Sequence, residues 1–207
     1  MTSSQEKAKP TSEDYIAPDA NCCIISVVNF EELPNYFASC IIDLLKDCYN
    51  RNIPVVYFDF IKEESLKNVA KEIRNIVEMR KSHSKNKRYF VSKYTPRAKK
   101  RLKKKFEKWK RLDSPLDSEI ENLREFFEEH KKEIVTEGGR RKKSIPDEND
   151  MRLIEYLNQS CCEKGFIVSQ DYHFKGYSEE IENVLTYDII ILPLEDLTQI
   201  RIAWNWI

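Results

Sequence analysis

The chain reads as an α/β fold with a central parallel sheet and an inserted, highly charged helical hairpin. Short β-branched runs alternate with segments whose apolar residues recur every three to four positions, the pattern of strand–helix–strand units. The composition then changes sharply, because Arg80 to Arg111 holds sixteen Lys or Arg and one acid, Glu107. Charged residues make up 34% of the 207 positions and glycine only four, which favours helices with solvated faces over loop-rich folds.

Residues 1–13 are polar and read as a disordered tail, and the α/β domain occupies 14–79 and 145–207. Tyr15-Ile-Ala-Pro18 is a poor strand, since Pro18 lacks a donor. Cys22 to Val28 reads either as a better first strand, ending at Asn29, Glu31 or Glu32, or as an early helix. Leu33 to Tyr49 is a helix with Phe37, Ile41, Leu44, Leu45 and Cys48 on one face, closed by Asn50-Arg-Asn52. Ile53-Pro-Val-Val-Tyr-Phe58 is a buried strand, and Glu63 to Val77 the next helix, with Leu66, Val69, Ile73 and Val77 inward.

Residues 80–144 form the insertion. Arg97 to Leu112 is a basic helix carrying Leu102, Phe106 and Trp109 on a narrow stripe, and Asp113-Ser-Pro-Leu116 turns the chain. Ser118 and Glu121 make a capping box that opens an acidic helix. Its acids, Asp117, Glu119, Glu121, Glu125, Glu128, Glu129 and Glu133, are placed to pair with part of the basic helix. Gly138-Gly-Arg-Arg-Lys-Lys143 is a basic return. The core resumes with a helix whose first turn holds Asp150 and whose apolar face is Met151, Leu153, Ile154 and Leu157. Gly165 ends it, and Phe166-Ile-Val168 is a strand leading into Asp171. Tyr187 to Leu192 is the last strand, and Leu194 to Trp206 a terminal helix.

No apolar run approaches the roughly 20 residues needed to span a bilayer, and the N-terminus lacks a signal-like apolar stretch, so an intracellular, cytoplasmic protein is expected. Six cysteines occur without Cys-x-x-Cys spacing and read as buried thiols in a reducing compartment; a Cys40–Cys48 disulfide is the alternative.

Acids recur at strand ends and helix starts: Asp19, Glu63 or Glu64 (with Asp59 as a third choice), Asp150 with Asp147 beside it, and Asp171. In an open parallel sheet such positions face a common crevice outside the carboxyl ends of the strands. Clustered carboxylates there suit a hard divalent cation, Mg²⁺ or Mn²⁺. His173 is read as a packed or exposed ring, with proton shuttling as the sharper alternative.

On these residues the chain resembles the PIN-domain nucleases, which include toxin ribonucleases of toxin–antitoxin pairs. Asp19-Ala20-Asn21 is similar to their first Asp-x-Asn motif, and Phe58-Asp-Phe-Ile-Lys-Glu-Glu64 to their second, with Glu64 favoured. Asp150 matches the acid that opens a helix, and Ser169-Gln170-Asp171 the Ser-x-Asp after a strand. The resemblance covers roughly residues 14–79 and 145–195. It implies a three-layer α/β/α sandwich and Mg²⁺- or Mn²⁺-dependent phosphodiester hydrolysis, usually of RNA. Asp19, Glu64, Asp150 and Asp171 are then the catalytic, metal-holding acids, with Asn21 and Ser169 orienting them.

The basic segment implies contact with nucleic acid through Arg97, Lys99, Lys100, Arg101, Lys103, Lys104, Arg140 and Arg141. Tyr89, Phe90, Tyr94 and Trp109 lie among these cations as candidates for base stacking, and Lys175 could meet a phosphate. The apolar C-terminus, Ile200 to Ile207, either covers the chain's own sheet or makes a homodimer contact. Two rival readings are a non-catalytic PIN-like adaptor that binds nucleic acid or protein through the charged hairpin, and a Rossmann-like nucleotide enzyme. The second lacks a Gly-rich phosphate loop.

Overall fold

The computed structural model describes residues 7–79, 86–114, 120–135, 139–160, 163–185 and 187–207. In chain order the elements are β1 (Tyr15–Pro18), α1 (Ala20–Ile25), α2 (Tyr36–Asn50), β2 (Val56–Tyr57), α3 (Asp59–Met79), α4 (Lys87–Phe106), β3 (Lys110–Arg111), α5 (Ile120–Glu129), β4 (Glu133–Val135) and β5 (Arg141–Lys143). They continue with α6 (Glu148–Ser160), β6 (Gly165–Ser169), α7 (Tyr172–Gly176), β7 (Ile189–Pro193) and α8 (Leu197–Ala203). A π-helical turn spans Glu180–Val184, and a 3₁₀ turn, Leu194–Asp196, precedes α8.

Five short strands run parallel in the order β3–β2–β1–β6–β7. β6 pairs with both β1 and β7, β3 pairs with β2, and Ile16 bridges β1 to Val55 beside β2. β4 and β5 pair antiparallel as a separate hairpin, and Phe30 and Leu33 form an isolated antiparallel bridge. Alternate side chains enter two apolar clusters, as the period of two requires. Ala17, Ile167, Ile189 and Ile191 pack toward α3, α4, α5 and α6, while Ile16, Phe166, Val168 and Leu192 pack toward α2 and α8. Helices therefore cover both faces.

Tyr15–Pro18 is the first strand, and the Cys22–Val28 run begins as helix α1. Pro18 costs β1 little, because Tyr15 N–H and Asp19 N–H donate to Lys164 O and Val168 O on the β6 side. Ile16 donates the other way, to Pro54 O, and Pro18 shares that alternate position, beyond the single bridge to β2. α4 starts ten residues earlier than its apolar stripe suggests and runs through Pro96, which is exposed, so water can serve the carbonyl it leaves unpaired. The basic helix ends at Phe106, and Lys110–Arg111 pairs as an edge strand with β2.

The insertion is not a separate hairpin. α4 packs along α3 and against α1, and α5 packs along α6. Phe90, Tyr94, Leu102, Phe106, Ile120, Leu123, Phe127 and Ile134 belong to the same cluster as the sheet. Among the described residues no ion pair joins α4 to α5; Ser118, Asp117 and Glu119, on which the capping box and part of that pairing were expected, lie outside them. Apolar residues on both helices outweigh charge matching, because burying them gains about 1.5–3 kcal/mol each, whereas an exposed ion pair contributes under about 1 kcal/mol.

Residues 7–13 are held rather than loose: Trp204 Nε1 donates to Lys7 O at 2.9 Å, and Lys7 pairs with Glu182 at 2.5 Å. Gly165 opens β6 instead of ending α6. A Cβ there would lie 2.6 Å from Leu157 Cγ and 2.7 Å from Ile189 Cδ1, so the close approach of α6 to β7 requires glycine. Cys22, Cys23, Cys40 and Cys48 are free and buried, so Cys40–Cys48 is not a disulfide; Cys161 and Cys162 lie outside the described residues. Among the described residues no helix is long and apolar enough to cross a membrane. Trp204 and Trp206 are buried within the chain, with Trp204 edge-on to Phe166 of β6, so the C-terminal aromatics cover their own sheet.

Candidate metal centre

The strand order reverses direction between β1 and β6, and the acids gather beyond the carboxyl ends of these two strands. Asp19 directly follows β1 and caps α1, its Oδ1 accepting from Cys22 N–H at 2.6 Å. Its Oδ2 accepts a hydrogen bond from Ser169 Oγ, at the end of β6. The same hydroxyl oxygen accepts from Asp171 N–H at 2.8 Å, so one serine ties the loop after β1 to the loop after β6.

Asp171 caps α7, its Oδ1 accepting from His173 N–H at 2.7 Å. Asp150 lies in the first turn of α6 and is locked reciprocally to Asp147. Asp150 N–H donates to Asp147 Oδ1 at 3.0 Å, and Asp147 N–H to Asp150 Oδ2 at 3.2 Å, an all-aspartate capping box. Glu64, on α3, accepts from Asn149 Nδ2 at 2.9 Å.

Asp19, Glu64, Asp150 and Asp171 line one cleft together with Ala20, Asn21, Ile61, Asp147, Asn149 and Leu153. Ligand atoms of Asp150, Asp171 and His173 lie within 4.8 Å of one another, while Asp19 and Glu64 line the cleft outside that tight group. Of the alternatives at the second motif, Glu63 points to solvent and Asp59 is taken up by Arg111 at 2.5 Å.

Burial dominates the electrostatics. It pushes the Asp19 carboxyl from its ordinary 3.8 up to about 6, against the opposing hydrogen bonds from Cys22 and Ser169. It pushes Asp150 up to about 7, helped by the charges of Asp147 and Asp171. It also raises Glu64, with Asp147 adding to the effect. Burial opposes the charge on His173, but its bonds to Asp150 and Asp171 outweigh this and hold it at about 9. Among the described residues no Lys or Arg forms an ion pair with Asp19, Glu64, Asp150 or Asp171. The cleft thus gathers carboxylates that, among the described residues, no lysine or arginine meets in an ion pair, although Lys67 and Lys71 favour the charge on Glu64 from farther off.

Comparisons with family profiles, curated proteins and solved structures gave no match to this chain. Its chemistry is therefore argued from the cleft itself. Carboxylate oxygens, the kind that hard divalent cations take, dominate the donor set, with the His173 ring beside them. Asp19 and Asp150, whose charged forms are disfavoured, would be relieved by a positive ion, so the residues present fit a divalent cation.

Ser169 bonds both Asp19 and Asp171, whereas Asn21 lines the cleft as an exposed side chain. Three residues with roles here were not singled out for them in the sequence: Asn149, which holds Glu64; Ser144, which meets His173; and His173 itself, facing two acids. The dense Asp-Glu-Asn-Asp run at 147–150 was a signal for Asn149; Ser144 carried none.

The basic residues are dispersed. Arg97, Lys100, Arg101, Lys103 and Lys104 are exposed along α4 and Lys99 is half-buried, while Arg140 and Arg141 are exposed at the start of β5. Arg101 is partly structural, donating to Val27 O and Asn29 O and lying 4.5 Å from the Phe30 ring centre. Lys175 is paired with Glu195 at 2.5 Å. Phe90 and Tyr94 are buried, and Trp109 packs edge-on to Phe106, which leaves Tyr89 as the exposed aromatic of the four.

Proposed function

We propose that the chain is a PIN-like, metal-dependent nuclease that hydrolyses RNA or single-stranded nucleic acid. The observation that carries this reading is the convergence of Asp19, Glu64, Asp150 and Asp171 on one cleft at the point where the strand order reverses. The residues come from four separated parts of the sequence, and the local bonds that hold them aim them at a shared space.

Asp150 and Asp171 would hold Mg²⁺ or Mn²⁺, with Asp19 and Glu64 completing the negative wall. Such an ion, when bound, supplies Lewis acidity for in-line displacement at phosphorus and activates water there. Ser169 keeps Asp19 and Asp171 in fixed relation, and the Asp147–Asp150 box fixes the start of α6. β5 presents Arg141, Lys142 and Lys143, all exposed, directly before Ser144, which touches His173. A phosphate backbone entering the cleft would therefore meet cations at its edge.

The test is cleavage of end-labelled single-stranded RNA with Mn²⁺, with EDTA, and with Asp171→Asn. Metal-dependent cleavage that disappears in the variant supports the reading. RNA binding without cleavage under every condition would sink it in favour of a non-catalytic adaptor.

A further inference from the structure

We infer that His173 is a nitrogen ligand of the cleft's cation, making a mixed carboxylate–imidazole centre that favours transition-metal ions such as Mn²⁺ and Co²⁺ over Mg²⁺. The inference rests on the metal-site reading above and adds a ligand that the acidic motifs do not contain.

His173 Nδ1 lies 3.1 Å from Asp171 Oδ1 and 3.5 Å from Asp150 Oδ2. Atoms about 2.1 Å from a shared ion, at angles between octahedral and tetrahedral, stand roughly 3.0–3.4 Å apart. The ring nitrogen's separations from the two carboxylates lie at or near that spacing, and all three donors lie within 4.8 Å of one another, so the group can close around one ion by side-chain adjustment.

A separate observation concerns the other ring nitrogen. Nε2 is 3.0 Å from Ser144 Oγ, and that hydroxyl faces Ile145 O at 3.5 Å. With the hydroxyl proton directed to Ile145 O, Oγ accepts from Nε2–H, so Nδ1, which donates to the two carboxylates in the metal-free protein, is the nitrogen that would exchange its proton for an entering ion. Ligating histidines are typically held by such an outer bond, which fixes both tautomer and ring plane. The ring is buried, so it has little freedom to turn away.

Imidazole nitrogen strengthens binding of transition-metal ions, whereas Mg²⁺ prefers oxygen donors and retained water. The choice of ion thus depends on one residue outside the four acids.

The experiment adds Mn²⁺ alone to the full chain and records pulsed EPR for coupling to a ¹⁴N nucleus, with calorimetric affinities for Mn²⁺ and Mg²⁺. The expected result is directly coordinated nitrogen in the wild type. Its signal is lost in His173→Ala, with Mn²⁺ affinity falling about tenfold or more and Mg²⁺ affinity changing by under about threefold. Ser144→Ala, which leaves the ring in place, should weaken Mn²⁺ about tenfold through loss of the outer bond. The wild-type spectrum decides the matter even if the His173 variant fails to fold. Mn²⁺ bound without nitrogen coupling overturns the inference and leaves the carboxylate site standing; absence of any Mn²⁺ binding overturns both.

Discussion

The acids in the cleft and the acids held by arginines meet opposite fates. Asp59 is partly exposed and gripped by Arg111 through contacts of 2.5, 3.0 and 3.1 Å, and Asp47 is held by Arg201 at 2.6 Å. Asp19 is buried and Asp150 half-buried; both carry raised pKa values and have serine, backbone or histidine partners instead of a lysine or arginine. An ion-paired acid answers its own charge, whereas an acid buried among other acids leaves a deficit that a cation can fill. This difference sets Asp19 and Asp150 apart from the arginine-held Asp47 and Asp59.

The largest effect should come from breaking the cleft. Asp171→Asn and Asp150→Asn are expected to reduce RNA cleavage by at least about a hundredfold, a loss of several kcal/mol of transition-state stabilisation. Asp59→Asn should leave cleavage within about twofold, because that acid serves only Arg111. Comparable losses from all three variants, measured by single-turnover cleavage, would erase the distinction between the two sets.

Next in size is the basic edge. Replacing Arg141, Lys142 and Lys143 together with Ala should flatten the log–log salt dependence of RNA binding by roughly 2, about 0.7 for each phosphate that is no longer neutralised. Titration by fluorescence anisotropy at several salt concentrations reads this directly, and an unchanged slope would move the phosphate-binding surface elsewhere, α4 being the next to test.

A smaller effect is the pH dependence of stability without metal. Asp19 at about 6 and Asp150 at about 7 both stand above their unfolded value of 3.8. Their contribution is therefore complete below about pH 4 and is lost as pH rises through 6 and 7. His173, raised to about 9, acts in the same direction at higher pH. In EDTA the melting temperature should fall between pH 5 and pH 8, and excess Mn²⁺ should restore it most at pH 8, where the acids are ionised. Under the same metal-free conditions at pH 8, Asp150→Asn should melt above the wild type, since it removes a charge that burial disfavours. A wild-type melting temperature that rises with pH in EDTA would contradict these pKa directions.

The smallest effect is expected from Asp59→Ala, whose exposed pair with Arg111 should leave the midpoint of a denaturant titration almost unchanged.

Much of the scaffold was legible along the chain. The apolar period placed α2, α3 and α6 because their buried faces are continuous, and the runs at 166–168 and 187–192 gave β6 and β7 nearly in full. Asp150 and Asp171 stand at positions that local patterning marks, the start of α6 and the end of β6, whereas Asp19 follows a strand too short to announce itself and Glu64 lies within α3. β1, β2 and β3 were harder, because two to four residues carry too little alternation to announce a strand, and Lys110–Arg111 reads locally as the tail of a basic helix. The hairpin expectation failed because charge complementarity between α4 and α5 is visible in sequence, whereas the apolar faces of α3 and α6 waiting for them are not.

By itself, the sequence determined helices α2, α3 and α6, the two long strands and the segregation of basic charge. These are properties of near neighbours: period, capping and composition. Only the tertiary structure decided that β1 lies beside β6, that Ser169 joins Asp19 to Asp171 across 150 residues of chain, and that His173 turns its ring between Asp150 and Asp171. The physical reason is that register across a parallel sheet and the direction of a buried ring are fixed by packing from distant segments, which no local pattern records.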